Sequence, residues 1–526
     1  MRTGLLPLPF LLVGLITASA PAAVSPPRLL GLSVSNGGRP FSGDTRQLAT
    51  VSPNGDGLRD RAIARFRLDQ AATVRMQVVA TGQALGPGRV VWRTKRRLAA
   101  GAHRLVWAPG RATPSRTYLV RFVVRGRSGS RVYGFEPPGR ATTGLVVRVL
   151  GVDVAFLQRS FARGAKAAPV SIATDARTVR LQFLSYSAAT GPRDPKTSAV
   201  VMTPPVPLDW RGHRSAPHVV RVGRSGSWPS GLYFLRVRAA DGRAGYAPLI
   251  LRPRRLGEHR VAVVLATNTW QADNLADANG DGWGDSWEVS GSIPRVDQRR
   301  AYLGGGLPYR FRDWDLPFVS WLSRTGKQVD WFSDDDLAGI RSGDVLRRAY
   351  DLIVFPEHEE FVTAHAYDVI KRFRDLGGRL MFLSADNFSW KVRREGQFLR
   401  RGGQWRKLGR PEAALVGVQH VASGRRERPY VVQGATGEPW VFAGTGLANG
   451  SAFGRYGIAV DARAPSSPPA TVVLARLQRA GGEMTLYRTP AGARVFAAGA
   501  IDFAASIGLP AVSRLVDNIW ARFTAP

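Results

Sequence analysis

Residues 277–288, DANGDGWGDSWE, form an acidic, glycine-rich loop in a chain whose formal net charge is +35. Crowded carboxylates repel one another unless a hard cation takes their oxygens, so the composition favours bound calcium. The spacing matches positions one, three, five, nine and twelve of an EF-hand-like loop, and Gly282 takes the sharp-turn sixth position. A solvent loop rich in Asn, Asp and Gly is the alternative. The predicted ligands are Asp277, Asn279, Asp281, Asp285 and Glu288.

A second set of polar residues comes after three apolar runs that have the character of buried strands. RVAVVLAT leads into TNTWQADN, YDLIVFP leads into EHEE, and GRLMFLS leads into ADN. The carboxyl ends of parallel strands meet at one edge of a sheet, where α/β proteins bind their ligands. The sequence therefore predicts one crevice with a histidine and several carboxylates, groups that can hold a metal or transfer protons.

The elements that position these groups form an α/β domain over residues 258–526. Continuous apolar strands alternate there with helix-period segments, which is typical of a parallel sheet covered on both faces. A β-rich insertion is expected near 430–490. The acidic run Asp334–Asp336 predicts a helix start in solvent. Helices are predicted around 313–325, 344–350, 363–376 and 511–523.

The N-terminal half predicts two β-sandwiches, over residues 31–150 and 151–253. Short runs such as AIARFRL, TVRMQVV and GLYFLRVRAA alternate apolar and polar residues between turn signals, as sandwich strands do. SPNGDGLRD, LAAGAHRLVW and RTYLVRFVV resemble the Ig-like domain of flagellar hook-assembly proteins. That resemblance implies a spacer or presentation module without catalysis.

Several bulk properties restrict location and partners. Residues 1–23 combine a basic residue, an apolar run and small residues, which predicts a secretory signal peptide. No later run is apolar for long enough to span a membrane, so a secreted or envelope-associated protein is expected. The absence of cysteine excludes disulfides, thiolate metal sites and a cysteine nucleophile. Arginines are scattered, which favours diffuse attraction to anionic cell-envelope polymers over specific nucleic-acid binding. An oligomer is possible.

Four separated segments resemble the C-terminal domain of the N,N-dimethylformamidase large (beta) subunit: TNTWQADN, DLPFVSWLSRTGKQVDWFSDDDL, YDLIVFPEHEEF and DLGGRLMFLSADNFSW. The match continues more weakly through RPEAALVG and FAGTGL to AVSRLVDNIW. The resemblance implies a glutamine-amidotransferase-like α/β domain. It also implies a mononuclear iron bound by tyrosines and a glutamate near a histidine, hydrolysis of the C–N bond of a small amide, and a small partner subunit.

Carried over by position, the family's His-x-Glu-Tyr stretch falls on His358, Glu360 and Phe361. Glu360 is thereby the candidate iron ligand, and His358 the general base, water positioner or further ligand. Asp273 stands where a tyrosine is usual. Aspartate can ligate iron, but it changes the Lewis acidity of the site. Tyr302 and Tyr309 are the nearest candidates for a second tyrosine ligand, and the possible pocket residues are Trp270, Asn274 and Asn387.

The sequence supports two hypotheses on function. In the first, the protein is a secreted, metal-dependent amidohydrolase with Asp273, His358 and Glu360 at its centre. In the second, it is a non-catalytic, calcium-stabilised envelope protein that binds a small molecule or glycan through a degenerate site. Retention of His358 and Glu360 favours the enzyme, whereas the departures at Asp273 and Phe361 favour the binding protein. His358 and Glu360 could also merely cap the helix after them.

Overall fold

The structure, a computed structural model, describes residues 25–525 except 82–87, 166, 187–198, 224–227 and 479–480, and it leaves out the side chains of 425 and 426. The predicted signal peptide lies outside the described residues. Within them, no helix combines the length and apolar character needed to cross a membrane. Strand residues, at 41%, outnumber helical residues, at 16%, so this is a mainly β, multidomain protein.

Two sheets enclose the first apolar core, which contains Phe66 and Phe122. In the strand Ala62–Leu68, buried Ala64, Phe66 and Leu68 alternate with exposed arginines, as a half-buried strand requires. The three-stranded sheet consists of Leu29–Ser35, Ala62–Leu68 and Gly101–Trp107. The six-stranded sheet consists of Leu48–Val51, Ala72–Ala80, Arg89–Leu98, Arg116–Gly126, Gly129–Tyr133 and Leu145–Val149.

A second pair of sheets encloses its own core and bonds to the first. Asp175, which is fully buried, accepts hydrogen bonds from Ser52 Oγ at 2.6 Å and from Arg243 at 2.8 Å. The three-stranded sheet consists of Asp153–Phe156, Ala167–Ala173 and His218–Gly223. The other consists of Ser160–Ala162, Thr178–Tyr186, Ala199–Val201, Val206–Asp209, Gly231–Ala239 and Ala244–Arg252, with a 3₁₀ turn at Arg211–His213.

A nine-stranded mixed sheet dominates the rest of the chain. Five neighbouring strands are parallel, and four antiparallel strands extend the same sheet. The parallel strands, in spatial order, are Asp330–Ser333, Val261–Leu265, Leu352–Phe355, Arg379–Phe382 and Arg494–Ala497. The antiparallel strands continue as Glu483–Arg488, Val472–Leu477, Gln419–Val432 and Ala452–Ala462.

Helices cover both faces of the parallel part. Val263 and Val354 face one apolar cluster, while Val264 and Phe355 face another. The first cluster includes the helices Phe311–Trp314 and Leu316–Arg324, the turn Ala504–Ser506 and the final helix Pro510–Thr524; the second includes Asp334–Gly339, Gly343–Ala349 and Ala364–Asp375. The glutamine-amidotransferase-like architecture remains a prediction. The remaining short helices are Thr267–Ala272, Ala413–Val416 and Pro439–Phe442, with a 3₁₀ turn at Trp405–Leu408.

A four-stranded sheet lies beside the carboxyl ends of the parallel strands. Its edge strand Phe361–Thr363 comes directly after Glu360, and Phe361 packs against Trp287 at a ring distance of 4.7 Å. Phe361, the residue in place of the family's tyrosine, is therefore an apolar anchor in a small core. The four strands are Arg295–Asp297, Phe398–Gln404, Trp390–Glu395 and Phe361–Thr363.

The prediction that a helix starts at Asp334–Asp336 is confirmed, but the prediction that this start lies in solvent is wrong. The helix does begin there, with a capping box between Ser333 and Asp336. Asp334 is only 3% exposed, however, and accepts hydrogen bonds from the backbone N–H of Asn268 at 2.7 Å and from Thr267 Oγ1 at 3.1 Å. The acidic run therefore holds the start of a neighbouring helix in place.

Candidate functional site

Three neighbouring parallel strands deliver acidic residues to one edge of the sheet. Val261–Leu265 leads through the helix Thr267–Ala272 to Asp273, and Leu352–Phe355 leads to His358 and Glu360. Arg379–Phe382 leads to Asp386. Because these strands pair side by side in parallel, their carboxyl ends lie at the same edge of the sheet.

His358 and Asp273 form a buried pair. His358 Nε2 lies 3.2 Å from Asp273 Oδ2, and both residues are about 95% buried. Burial alone would lower the pKa of His358, but the hydrogen bond and the charge of Asp273 raise it above its ordinary value. The imidazole packs edge-on against Trp314 at 4.9 Å, and its Nδ1 has no hydrogen-bond partner. A carboxylate-held imidazole of this kind can take up a proton.

Glu360 lies in a strongly negative environment. Its backbone N–H donates to Thr269 Oγ1 at 3.3 Å, which fixes the segment beside the helix that carries Asp273. Burial, followed by the charges of Asp386, Asp273 and Glu288, raises the pKa of Glu360 well above its usual range. Asp273, His358 and Glu360 therefore share one electrostatic environment.

A second group of ligand-capable residues adjoins the first. Among the residues that the structure describes, one set of three or more His, Cys, Asp or Glu side chains has ligand atoms all within 4.8 Å of one another: Asp386, His420 and Asp461. His420 and Asp461 are cross-strand partners in the pair Gln419–Val432 and Ala452–Ala462. Asp273, His358 and Glu360 do not meet that distance.

The predicted pocket residues mostly hold the scaffold together. Trp270 Nε1 donates to Asp315 at 3.0 Å and to Glu357 at 2.9 Å, and Asn387 bridges Glu359 N–H and Ser384 C=O. Asn274 makes similar bonds, and it also lines a cavity of about 560 Å³. Neither His358 nor Glu360 lines that cavity.

The acidic loop docks on the first β-sandwich. Trp283 packs in one apolar cluster with Leu48, Leu119 and Val146. Asp277 accepts hydrogen bonds from the N–H groups of Gly280 at 2.6 Å and of Gly282 at 2.8 Å. The corresponding bonds of the other ligand-type side chains run from Asp281 N–H to Asn279, from Trp283 N–H to Asp281 and from Ala278 N–H to Asp285.

Two electrostatic features distinguish the ends of this loop. Burial and the charges of Asp281 and Asp285 raise the pKa of Asp277 to about 7, a repulsion that a bound cation would relieve. Glu288, the predicted twelfth position, is exposed, and the charges that act on it are those of Asp273, His358, Asp386 and Arg310. Glu288 therefore interacts electrostatically with the residues at the strand ends.

The model of the N,N-dimethylformamidase beta subunit-like, C-terminal family matches residues 215–514, more than half of the chain. The protein belongs to this family. No curated protein matches the chain. As a member of the N,N-dimethylformamidase beta subunit-like family, it carries the His358, Glu360 and Asp273 positions inside the matched region.

Solved structures offer only weak likenesses. Latent PorU from Porphyromonas gingivalis is 11% identical over 43% of this chain, with a TM-score of 0.16, and the chain spans 20% of its length. The adhesin InvE of Yersinia pseudotuberculosis is 13% identical, over 39% of this chain and 56% of its own, with a TM-score of 0.14. The calcium-binding domain CBD12 of CALX1.1 is 11% identical over 38% of this chain and 80% of its own length, with a TM-score of 0.16. Scores this low carry no inference about fold, and the Ig-like assignment remains a prediction.

The side chains at the site do not fit a tyrosine-ligated iron. Tyr302 is buried against Trp270 and bonds Gln271, and Tyr309 packs on Trp314, the aromatic neighbour of His358. The charged groups that act on Glu360 are the carboxylates of Asp386, Asp273 and Glu288 and the guanidinium of Arg401, and the His358 imidazole bonds Asp273. This N,N-dimethylformamidase-like chain therefore departs from the donor set that the resemblance implies.

Proposed function

We propose that the protein is a secreted hydrolase of the C–N bond of small amides. The observation that carries the proposal is the buried His358–Asp273 pair, 3.2 Å apart beside Glu360, at the strand ends of the matched family region. We include secretion in the proposal because the sequence predicts a signal peptide. The substrate class comes from the family relationship.

The reaction can be written with this chain's own side chains. His358, oriented by Asp273, takes a proton from water as the water oxygen attacks the amide carbonyl carbon. Glu360, whose protonated form the surrounding carboxylates favour, gives a proton to the leaving nitrogen as the C–N bond breaks. The products are an amine and a carboxylic acid, and the proton on His358 passes through solvent to Glu360, which restores both side chains.

Replacing Glu360 by glutamine is expected to lower the hydrolysis of small formamides and acetamides by about 100-fold or more, because the glutamine side chain cannot supply the proton to the leaving nitrogen. Amine release should be measured by chromatography for the wild type and the variant. Glu395→Gln is the matched control, since this carboxylate on the adjoining small sheet pairs with Arg393 and Arg400. Equal turnover in all three proteins would exclude Glu360 as the proton donor, whereas no turnover by the wild type on any small amide would leave the binding-protein hypothesis as the better one.

We also propose that the acidic loop binds calcium and thereby fastens the first β-sandwich to the crevice region. Calcium at 100 times its Kd should stabilise the folded protein by about 2.7 kcal/mol, because it binds only that state. Asp281→Ala should remove the calcium-dependent rise in Tm, whereas Asp368→Ala, which deletes an exposed carboxylate on the helix Ala364–Asp375, should keep it. Identical melting curves of the wild type with calcium and with chelator would exclude the site.

A further inference from the structure

Asp386, His420 and Asp461 come from three separate parts of the mixed sheet. Asp386 lies just beyond the parallel strand Arg379–Phe382, whereas His420 and Asp461 face each other across two antiparallel strands. Directly opposed residues of an antiparallel pair place their side chains on one face. One imidazole nitrogen and two carboxylate oxygens thus meet within 4.8 Å.

The two ring nitrogens of His420 have different surroundings. Nε2 lies 3.2 Å from Ser423 Oγ, within hydrogen-bond reach. Nδ1 lies only 2.8 Å from Asp386 Oδ1, yet the approach is not aligned for a hydrogen bond. When Nε2 carries the proton and donates it to Ser423, Nδ1 keeps its lone pair and can bind a cation next to the Asp386 carboxylate. Metal-binding histidines are fixed in this way, by a bond from the other ring nitrogen.

The surrounding charge is unbalanced. Glu412 is fully buried, its two carboxylate oxygens accept no hydrogen bond, and its charge acts on Asp461. Arg406 Nε, 3.3 Å from Glu412 Oε1, supplies one positive charge against the three carboxylates. Buried carboxylates normally have a paired cation or several hydrogen bonds, so this group can accommodate further positive charge.

The backbone at Asp386 is held in an unfavourable conformation. Its φ of 57° lies in the left-handed region, which a non-glycine residue seldom adopts. The Asp386 N–H donates to both oxygens of Asp461, each at 3.1 Å. Backbone strain of this kind persists where neighbouring groups over-determine the geometry, as at ligand sites.

We propose that Asp386, His420 and Asp461 bind one divalent transition-metal ion. One imidazole and two carboxylates suit zinc, iron(II) or manganese(II). The side chains of Asp386 and His420 are 18% and 26% exposed, so a water molecule can reach an open coordination position. The proposed site uses none of the residues that the family resemblance assigns to iron, and it does not depend on amidase activity.

The test is metal binding to the chelator-treated full-length protein. The wild type should take up one Zn²⁺ or Co²⁺ per chain in equilibrium dialysis, with visible absorption from bound Co²⁺. Asp386→Asn should weaken the affinity by more than about 100-fold, since even an outer partner of a ligand is worth 10- to 100-fold. Asparagine tolerates the left-handed backbone at this position. Ser423→Ala should weaken it by about 10- to 100-fold.

Further variants locate the metal. His420→Gln should lose the metal, whereas His365→Gln and Glu360→Gln should bind it as the wild type does; His365 bonds the C=O of Ile340, just after the helix Asp334–Gly339. Circular dichroism of the metal-free proteins reports whether each variant folds. A wild type that binds no metal would overturn the proposal. So would loss of metal in Glu360→Gln together with retention in Asp386→Asn, which places the ion at the family position.

Discussion

Replacing His358 by glutamine is expected to lower kcat/KM for small amides by about 10²- to 10⁴-fold, the usual contribution of a general base. Glutamine preserves the approximate size of the side chain and its contact with Trp314, but it cannot accept the proton. His365→Gln is the control, because it makes the same substitution seven residues further along the chain. A loss of equal size in both variants would point to a general effect on folding instead of proton transfer.

The mechanism also predicts the direction in which the rate of this reaction changes with pH. His358 must be neutral to take a proton, and Asp273 raises its pKa above the ordinary value of 6.5. The rate should therefore rise with pH through a midpoint above 6.5 and fall again where Glu360 loses the proton that it donates. Asp273→Asn removes the stabilising charge, leaving burial opposed by the charges of Glu357 and Asp386, so the midpoint should move to lower pH. An unchanged midpoint in a plot of kcat/KM against pH would contradict the pairing.

The pair should also behave as one unit. If Asp273 acts by orienting and charging His358, the double variant should lose little more activity than His358→Gln alone. Independent losses that multiply would show that Asp273 has a separate function, such as binding a cation or the substrate.

The convergence of His358, Glu360 and Asp273 could be predicted from the sequence because it depends on strand order. Uninterrupted apolar runs such as YDLIVFP indicate buried parallel strands, and such strands must deliver the residues at their carboxyl ends to the same edge. The distance between His358 and Asp273 was not predictable in this way. It depends on the short helix Thr267–Ala272, which carries Asp273 inward after its strand.

His420 and Asp461 could not be found from the sequence. They lie 41 positions apart in a segment with no metal-binding motif, and they meet because of the register between two irregular strands. That register shifts three times along the pair, so alternation of apolar and polar residues does not fix which residues face each other. Asp386 lies in the segment ADN, which the sequence places at a strand end. Its left-handed backbone conformation, which accompanies its contact with this pair, could not be predicted from the sequence.

The spacing of the acidic loop does not show which distant residues act on Glu288. Its place as the twelfth residue predicts a calcium ligand, and in the structure the charges of Asp273 and Asp386 also act on it. The docking of Trp283 on Leu119 and Val146 is likewise a contact between distant segments, which cannot be read from local spacing.

The loop between the strand Arg295–Asp297 and the helix Phe311–Trp314 comes close to the second β-sandwich at Gly306. A Cβ at Gly306 would lie 1.7 Å from the carbonyl oxygen of Tyr246, in the strand Ala244–Arg252. Its φ is 92°, so alanine there would be strained as well as obstructed. Gly304 has a similar φ of 81°, but a Cβ there would meet nothing within 4 Å.

Gly304→Ala is therefore expected to cost about 1–2 kcal/mol of unfolding free energy through its backbone conformation alone. Gly306→Ala should cost a further ~1–3 kcal/mol, because the Tyr246 backbone must move to admit the methyl group. Denaturant unfolding of the two variants and the wild type measures the difference directly. Since Tyr309 packs on Trp314 and Trp314 on His358, Gly306→Ala should also lower amide hydrolysis more than Gly304→Ala does. Equal losses of stability in the two variants would show that the loop does not need the close contact with Tyr246 to hold Trp314 against the imidazole.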